Sequence, residues 1–260
     1  MTNKTFEGDF YKLLNKLKSN EQFAFIRFSD GEMFIMQNKS LVLDNHSARI
    51  NGQVLGGGFT EEDHKSFDPE QHGFFRDKLM DSYTHQQKNY FKGLSCRCCV
   101  GQDNFNYMFN VAQDTTEHMT WANLLVNGNY PKFINEFVPE LKDKKCVVIC
   151  NERADLTNMP FEVVKDFRVG QNCIVNNYDV IEDIRQWING NEIEDHVFLL
   201  AASSLTNMIV HQLFEENDTN TFIDIGTTLN KYFNMRLDRS YLSSFWNNHH
   251  SPDLEKMCIW

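Results

Sequence analysis

The chain has 260 residues, 41% of them hydrophobic and 13% aromatic with 22 Phe, which suits one large globular domain over residues 1–260 and excludes a disordered chain. Acidic residues outnumber basic ones 36 to 25, and the formal charge of −11 opposes non-specific attraction to nucleic acid or an anionic membrane. No apolar run is long enough to cross a bilayer and Met1–Glu7 lacks a signal-peptide core, so the expected location is cytoplasmic, and the odd number of cysteines, seven, fits reduced thiols.

Phe6, Phe10, Leu13, Leu14 and Leu17 recur at helical spacing, so residues 5–20 read as an amphipathic helix. The run Phe23-Ala24-Phe25-Ile26 then breaks into Arg27-Phe28-Ser29-Asp30-Gly31-Glu32, a buried strand delivering charge to the end of a sheet. Two readings of that turn stand side by side. Asp30 and Glu32, separated by Gly31, have the chemistry to share a hard divalent cation, with Arg27 beside a phosphate. Alternatively, Ser29-x-x-Glu32 is a capping box in which Glu32 returns to the Ser29 amide.

A short helix is expected at 33–37, then a polar segment at 44–72 whose Gly56-Gly57-Gly58 leads into Thr60-Glu61-Glu62-Asp63. Three acids at that start repel phosphate, so the segment reads as a mobile lid or acceptor surface rather than a phosphate cradle. A helix at 74–91 precedes an expected strand at 94–100, and helices are expected at 104–112 and 117–126, with Trp121 in the core. Cys96-Arg97-Cys98-Cys99 contains a C-x-x-C spacing, but Cys146 and Cys150 are a poor second pair for zinc, and both groups read as buried-strand packing.

Lys145–Cys150 is the next apolar strand and ends in Asn151-Glu152-Arg153, where Asn151 is the first candidate ligand group and a surface Arg–Glu pair is the alternative. A short strand at 172–175 and a helix at 178–188 follow. His196–Ala202 is a strand that turns at Ser203-Ser204 into a helix at 205–215, so the two serines suit either an anion site or plain N-capping. Thr221–Ile225 is the last strand, and a carboxylate inside it, Asp224, is costly unless paired or liganded, which marks it as a general base or an outer partner. The tail carries Arg239-Ser240-Tyr241-Leu242 and Trp246-Asn247-Asn248-His249-His250, suited to covering a ligand or to a subunit contact in a homo-oligomer; adjacent His249 and His250 do not make a metal pair. Strands alternating with helices give an α/β fold, a Rossmann-like, mostly parallel sheet flanked by helices.

Arg27-Phe28-Ser29-Asp30-Gly31-Glu32 resembles the Arg-Phe-Gly-Asp-Gly-Glu signature of glycosyltransferases of the GT-D structural type. Segments around Thr120–Asn123 with Asn129-Tyr130, Val147–Asn151, Phe198–Ser204, Ile223–Leu229 and Arg239–Leu242 agree in order, so the resemblance covers most of the chain. Ser29 departs from the signature's glycine, and Ser203-Ser204 stands where Ala-Gly or Gly-Pro is expected. The resemblance implies a metal-dependent hexosyl- or pentosyltransferase using a nucleoside diphosphate sugar, UDP-linked. Mn²⁺ or Mg²⁺ would sit on Asp30 and Glu32, with Arg27, Ser203 and Ser204 at the phosphates, Asn151 at the nucleotide and Asp224 activating the acceptor. A glycan, glycoprotein or modified nucleobase would accept the sugar, the nucleobase being disfavoured by the global charge. Two rivals stand beside it: a sugar-phosphate isomerase or binding domain needing no carboxylate-held metal, and a non-catalytic protein with a transferase fold.

Overall fold

The computed structural model describes residues 4–247 and 251–260, Glu62 by its backbone only, so His249 and His250 lie outside the described residues. Eleven strands run in chain order: β1 (Ala24–Phe28), β2 (Leu41–Leu43), β3 (Ala48–Ile50), β4 (Gln53–Gly56), β5 (Lys65–Phe67), β6 (Tyr90–Leu94), β7 (Met119–Trp121), β8 (Lys145–Asn151), β9 (Val163–Val169), β10 (His196–Leu200) and β11 (Thr221–Asp224). Seven of them form one sheet in the order β7-β6-β1-β11-β10-β8-β9, and every pairing in it is parallel. A parallel sheet must be covered on both faces, which explains the unbroken apolar runs of its central strands. Ala24, Ile26 and Phe28 point into one core and Phe23 and Phe25 into the other. In β10 the same alternation divides Phe198 and Leu200 from Val197 and Leu199.

From β1 the chain builds outward through β6 to β7, then crosses to β8 and β9 and returns inward through β10 to β11. The first strand and the last therefore lie side by side in the middle of the sheet, with their carboxyl ends adjacent. Ligands of open α/β sheets bind in the crevice outside the carboxyl ends of the strands.

The segment 44–72, expected to be a loop, contains β3, β4, a 3₁₀ turn (Glu61–Asp63) and β5, and with β2 forms an antiparallel sheet in the order β4-β3-β2-β5. It is tied down by hydrogen bonds from the Ser66 amide to Asn172 Oδ1 (3.1 Å) and from the Asn172 amide to His64 O (3.2 Å). β4 is exposed along its whole length, with Val54 67% and Leu55 61% exposed.

Three expected elements are corrected. The strand placed at 94–100 is β6 followed by a helical turn, Arg97–Val100, and Cys98 and Cys99 are exposed there rather than packed in a strand. The helix expected at 117–126 holds β7 instead; Trp121 is buried in that strand as core, edge-on to Phe6 at 5.7 Å. Residues 173–176 are helical, and the neighbouring strand is β9, whose Lys165, Asp166 and Arg168 interrupt the apolar pattern of a sheet edge.

One fully buried cation organises the β6 side. Lys92 Nζ lies 2.7 Å from Asp114 Oδ2 and donates to the carbonyls of Tyr83 (3.0 Å), His85 (2.9 Å) and Ala112 (3.2 Å). It thereby joins the C-terminal ends of the helices Gly73–Thr84 and Gln102–Val111 to the sheet, where cations favour helix dipoles. Burial lowers the Lys92 pKa; burial opposes the charge of Asp114 too, but Lys92 and the Thr115 amide hold that carboxyl below its ordinary value. Lys92→Met strands a buried carboxylate and three carbonyls. It is expected to cost about 3–5 kcal/mol in urea-unfolding free energy, and a loss under about 1 kcal/mol would show that water replaces the ammonium freely.

Candidate functional site

At the carboxyl end of β1 the regular ladder with β11 runs through Ala24–Phe222 and Phe25–Ile223, and beyond it a side chain takes over. The Arg27 amide donates to Asp224 Oδ2 (3.2 Å), Arg27 Nε lies 3.2 Å from Asp224 Oδ1, and the Gly226 amide donates to Oδ1 (3.0 Å). Gly226 has φ +48°, and a Cβ there would fall 2.0 Å from Arg27 Nη2, so glycine is needed both for the turn and for the guanidinium packed against it. Burial raises the Asp224 pKa against the pull of Arg27. Both Asp224 oxygens are thus engaged, by Arg27 and by the Gly226 amide.

The second half of the site is Glu32, at the third position of the helix Asp30–Met36. Its Oε2 accepts the Ser29 amide (3.0 Å), so the capping arrangement does form. Its Oε1 accepts the Ser204 hydroxyl and faces Lys65 Nζ at 3.4 Å, while Lys65 donates to Ser204 Oγ at 2.6 Å. Glu32, Lys65 and Ser204 are 8%, 8% and 0% exposed, so the three form a buried triad. Burial works against the ionised Glu32, but Lys65, Ser204 and the helix-start amides outweigh it and hold the carboxyl below its ordinary value. Arg27 is likewise held fully charged: burial opposes it, and Asp224 outweighs the burial.

Four of the residues singled out in the sequence thus meet here, Arg27, Glu32, Ser204 and Asp224. Lys65 was missed; it arrives from β5 of the small sheet, and nothing in Lys65-Ser66-Phe67 distinguishes it from a strand's solvent face. Ser204 does not cap the helix Leu205–Glu216 with its side chain; its hydroxyl is given to Glu32 instead. Ser203 is exposed in the left-handed conformation, φ +49°, with its side chain outside the triad's contacts. Asn151 ends β8, two strands from β11, and its Oδ1 accepts the Arg153 amide (2.9 Å). Tyr241, in the helix Ser240–Asn247, shares a 2.7 Å hydrogen bond with Thr227, and burial pushes its phenol up to about 12. Next to it, Arg239 pairs with Asp63 at 2.7 Å, joining the tail to the small-sheet segment.

Asp30 is exposed, and its Oδ1 accepts the Gly31 amide (3.0 Å). As the first and third residues of a helix, Asp30 and Glu32 project about 200° apart, and Glu32 already faces an ammonium. In this arrangement they do not converge as a two-carboxylate metal site. Any cation joining them must displace Lys65.

The sequence matches no family model and no curated protein. The fold does have likenesses among solved structures. A structure described as "A New Glycosyltransferase (DUF1792) from Streptococcus sanguinis" is 12% identical, with a TM-score of 0.55 over 86% of this chain and 81% of its own. Another, described as "The highly conserved domain of unknown function 1792 has a distinct glycosyltransferase fold", is 12% identical, with a TM-score of 0.54 over 86% of this chain and 78% of its own. At this identity the likeness is one of architecture: the chain has an α/β, all-parallel seven-stranded sheet like that of a glycosyltransferase fold.

Proposed function

We propose that the chain transfers a sugar from a nucleoside diphosphate sugar, UDP-linked, to a hydroxyl of a glycan or glycoprotein. The observation that carries this reading is the buried charge cluster of Arg27, Lys65, Glu32 and Asp224 at the carboxyl ends of β1 and β11, the edge at which α/β sheets bind ligands. Two cations held in place beforehand suit a diphosphate, whose negative charge grows as the sugar bond breaks. Arg27, braced by Asp224 and seated on Gly226, is positioned to bind a phosphate with a fixed fork. Lys65 has a flexible stem and can turn from Glu32 to the incoming diphosphate; Ser204, which touches both Glu32 and Lys65, would hold Glu32 when it does.

A divalent ion, Mn²⁺ or Mg²⁺, belongs to this reading as a competitor of Lys65 for Glu32, where it would add positive charge beside the leaving diphosphate. The segment 44–72 serves in this reading as the cover that carries Lys65.

Three outcomes follow from the arrangement. With UDP-sugars and a panel of hydroxyl acceptors, the native chain is expected to release UDP. Arg27→Lys is expected to lower kcat/KM by about 10²–10³ with its thermal midpoint near native; activity within threefold of native, or conversion of sugar phosphates without UDP release, would refute the transferase reading. Binding of UDP, followed by thermal shift, is expected to gain more from Mn²⁺ in Lys65→Met than in the native chain, and equal gains would remove the competition. Finally, because the folded Glu32 pKa lies below its unfolded value, its stabilising contribution is complete above about pH 4.3. It fades as pH falls through the depressed folded value. Urea unfolding should therefore show Glu32→Gln about 3 kcal/mol less stable at pH 7 and closer to native at pH 3; a gap that widens in acid would contradict the assignment.

A further inference from the structure

We propose that Cys96, Cys98, Cys99 and Cys258 bind one zinc ion as a tetrahedral tetrathiolate that staples the C-terminal segment to the end of β6. The four Sγ atoms lie within 4.8 Å of one another, with Cys96 Sγ at 2.8 Å from Cys98 Sγ and 3.3 Å from Cys99 Sγ. Zinc bound to four sulfurs at about 2.3 Å spaces them about 3.8 Å apart along each tetrahedral edge, so small side-chain movements complete the site. Iron–sulfur clusters interpose inorganic sulfide between several irons and hold their cysteines farther apart, which favours a single ion.

The local structure supplies the ligands without help from a metal. Cys96 starts the turn Arg97–Val100, and the amides of Cys99 (2.9 Å) and Val100 (3.1 Å) return to its carbonyl, curling three thiols to one side. The fourth comes from 159 residues beyond Cys99, on a segment fixed at both sides of Cys258. On one side the Gly128 amide donates to Lys256 O (3.1 Å). On the other, Trp260 packs edge-on against Trp121 (5.4 Å), Phe105 (5.9 Å) and Phe109 (5.9 Å).

The groups around the thiols suit a tetrathiolate, which carries two net negative charges on zinc. Lys256 Nζ donates to Cys99 Sγ (3.4 Å), Asn123 Nδ2 points to Cys99 (3.4 Å) and Cys258 (3.9 Å), and Asn127 Nδ2 points to Cys258 (3.9 Å). N–H donors and a cation beside metal-bound sulfur are the usual outer partners of such sites. Cys98 and Cys99 are exposed, giving the ion a way in, and the four thiol protons leave to solvent as it binds. Cys146, Cys150 and Cys173 are buried elsewhere and take no part.

The test is the zinc content of the full chain, purified under reducing conditions without chelator and measured by elemental mass spectrometry. One zinc per chain is expected in the native protein and in Cys146→Ser, and less than a tenth of that in Cys258→Ser and Cys99→Ser. In the native protein, exchange of zinc for Co²⁺ should give the sulfur-to-cobalt charge-transfer and tetrahedral visible bands of a tetrathiolate, a readout that survives if a variant does not fold. Undiminished zinc in Cys258→Ser, iron in place of zinc, a disulfide among the four, or failure of the reduced native chain to take up Zn²⁺ or Co²⁺ would each overturn the proposal.

Discussion

Two buried ion pairs at the carboxyl end of one parallel sheet are the constraint around which this chain is built. Each charge taken out of water there is costly, and the partners do not repay it by stability alone, since buried pairs are often no better than well-packed apolar groups. What such pairs do provide is position. Asp224 holds Arg27 by its main chain and its side chain at once, and Gly226 leaves room for the guanidinium. Glu32 is held by an amide, a hydroxyl and an ammonium drawn from three elements.

That arrangement also explains why the small antiparallel sheet exists. By delivering Lys65 onto Glu32, β5 completes a charge balance that the main sheet lacks, and the pairing of Asp63 with Arg239 ties the same segment to the tail. The cover and the floor of the site are thus joined by charges that a polyanionic ligand would reorganise. In the transferase reading Arg27 stays braced by Asp224, and Lys65 alone leaves its carboxylate, Glu32, for the diphosphate.

The central strands could be read in the sequence because burial on both faces leaves an unbroken apolar run, as in Phe23–Ile26, Val147–Cys150 and Phe198–Leu200. The sheet edges could not. β7 is three residues long, and β9 interrupts its apolar residues with Lys165, Asp166 and Arg168 and is only partly buried along most of its length. At the site, Arg27, Glu32, Ser204 and Asp224 announced themselves as polar residues at the ends of apolar strands. The capping box and the metal turn were equally compatible with Ser29–Glu32; the geometry forms the first, with Glu32 Oε2 on the Ser29 amide. Lys65 and Cys258 were invisible for one shared reason: each acts on partners far along the chain, Lys65 on Ser204 across 139 positions and Cys258 on Asn123 across 135, and no local pattern records such a meeting.

The most direct measurement is a crystal structure of the chain with a UDP-sugar bound. The account predicts diphosphate oxygens about 2.7–2.9 Å from the Arg27 guanidinium and the Lys65 ammonium, with Lys65 turned away from Glu32. A nucleotide bound elsewhere on the sheet, with Lys65 still seated on Glu32 and Ser204, would contradict it.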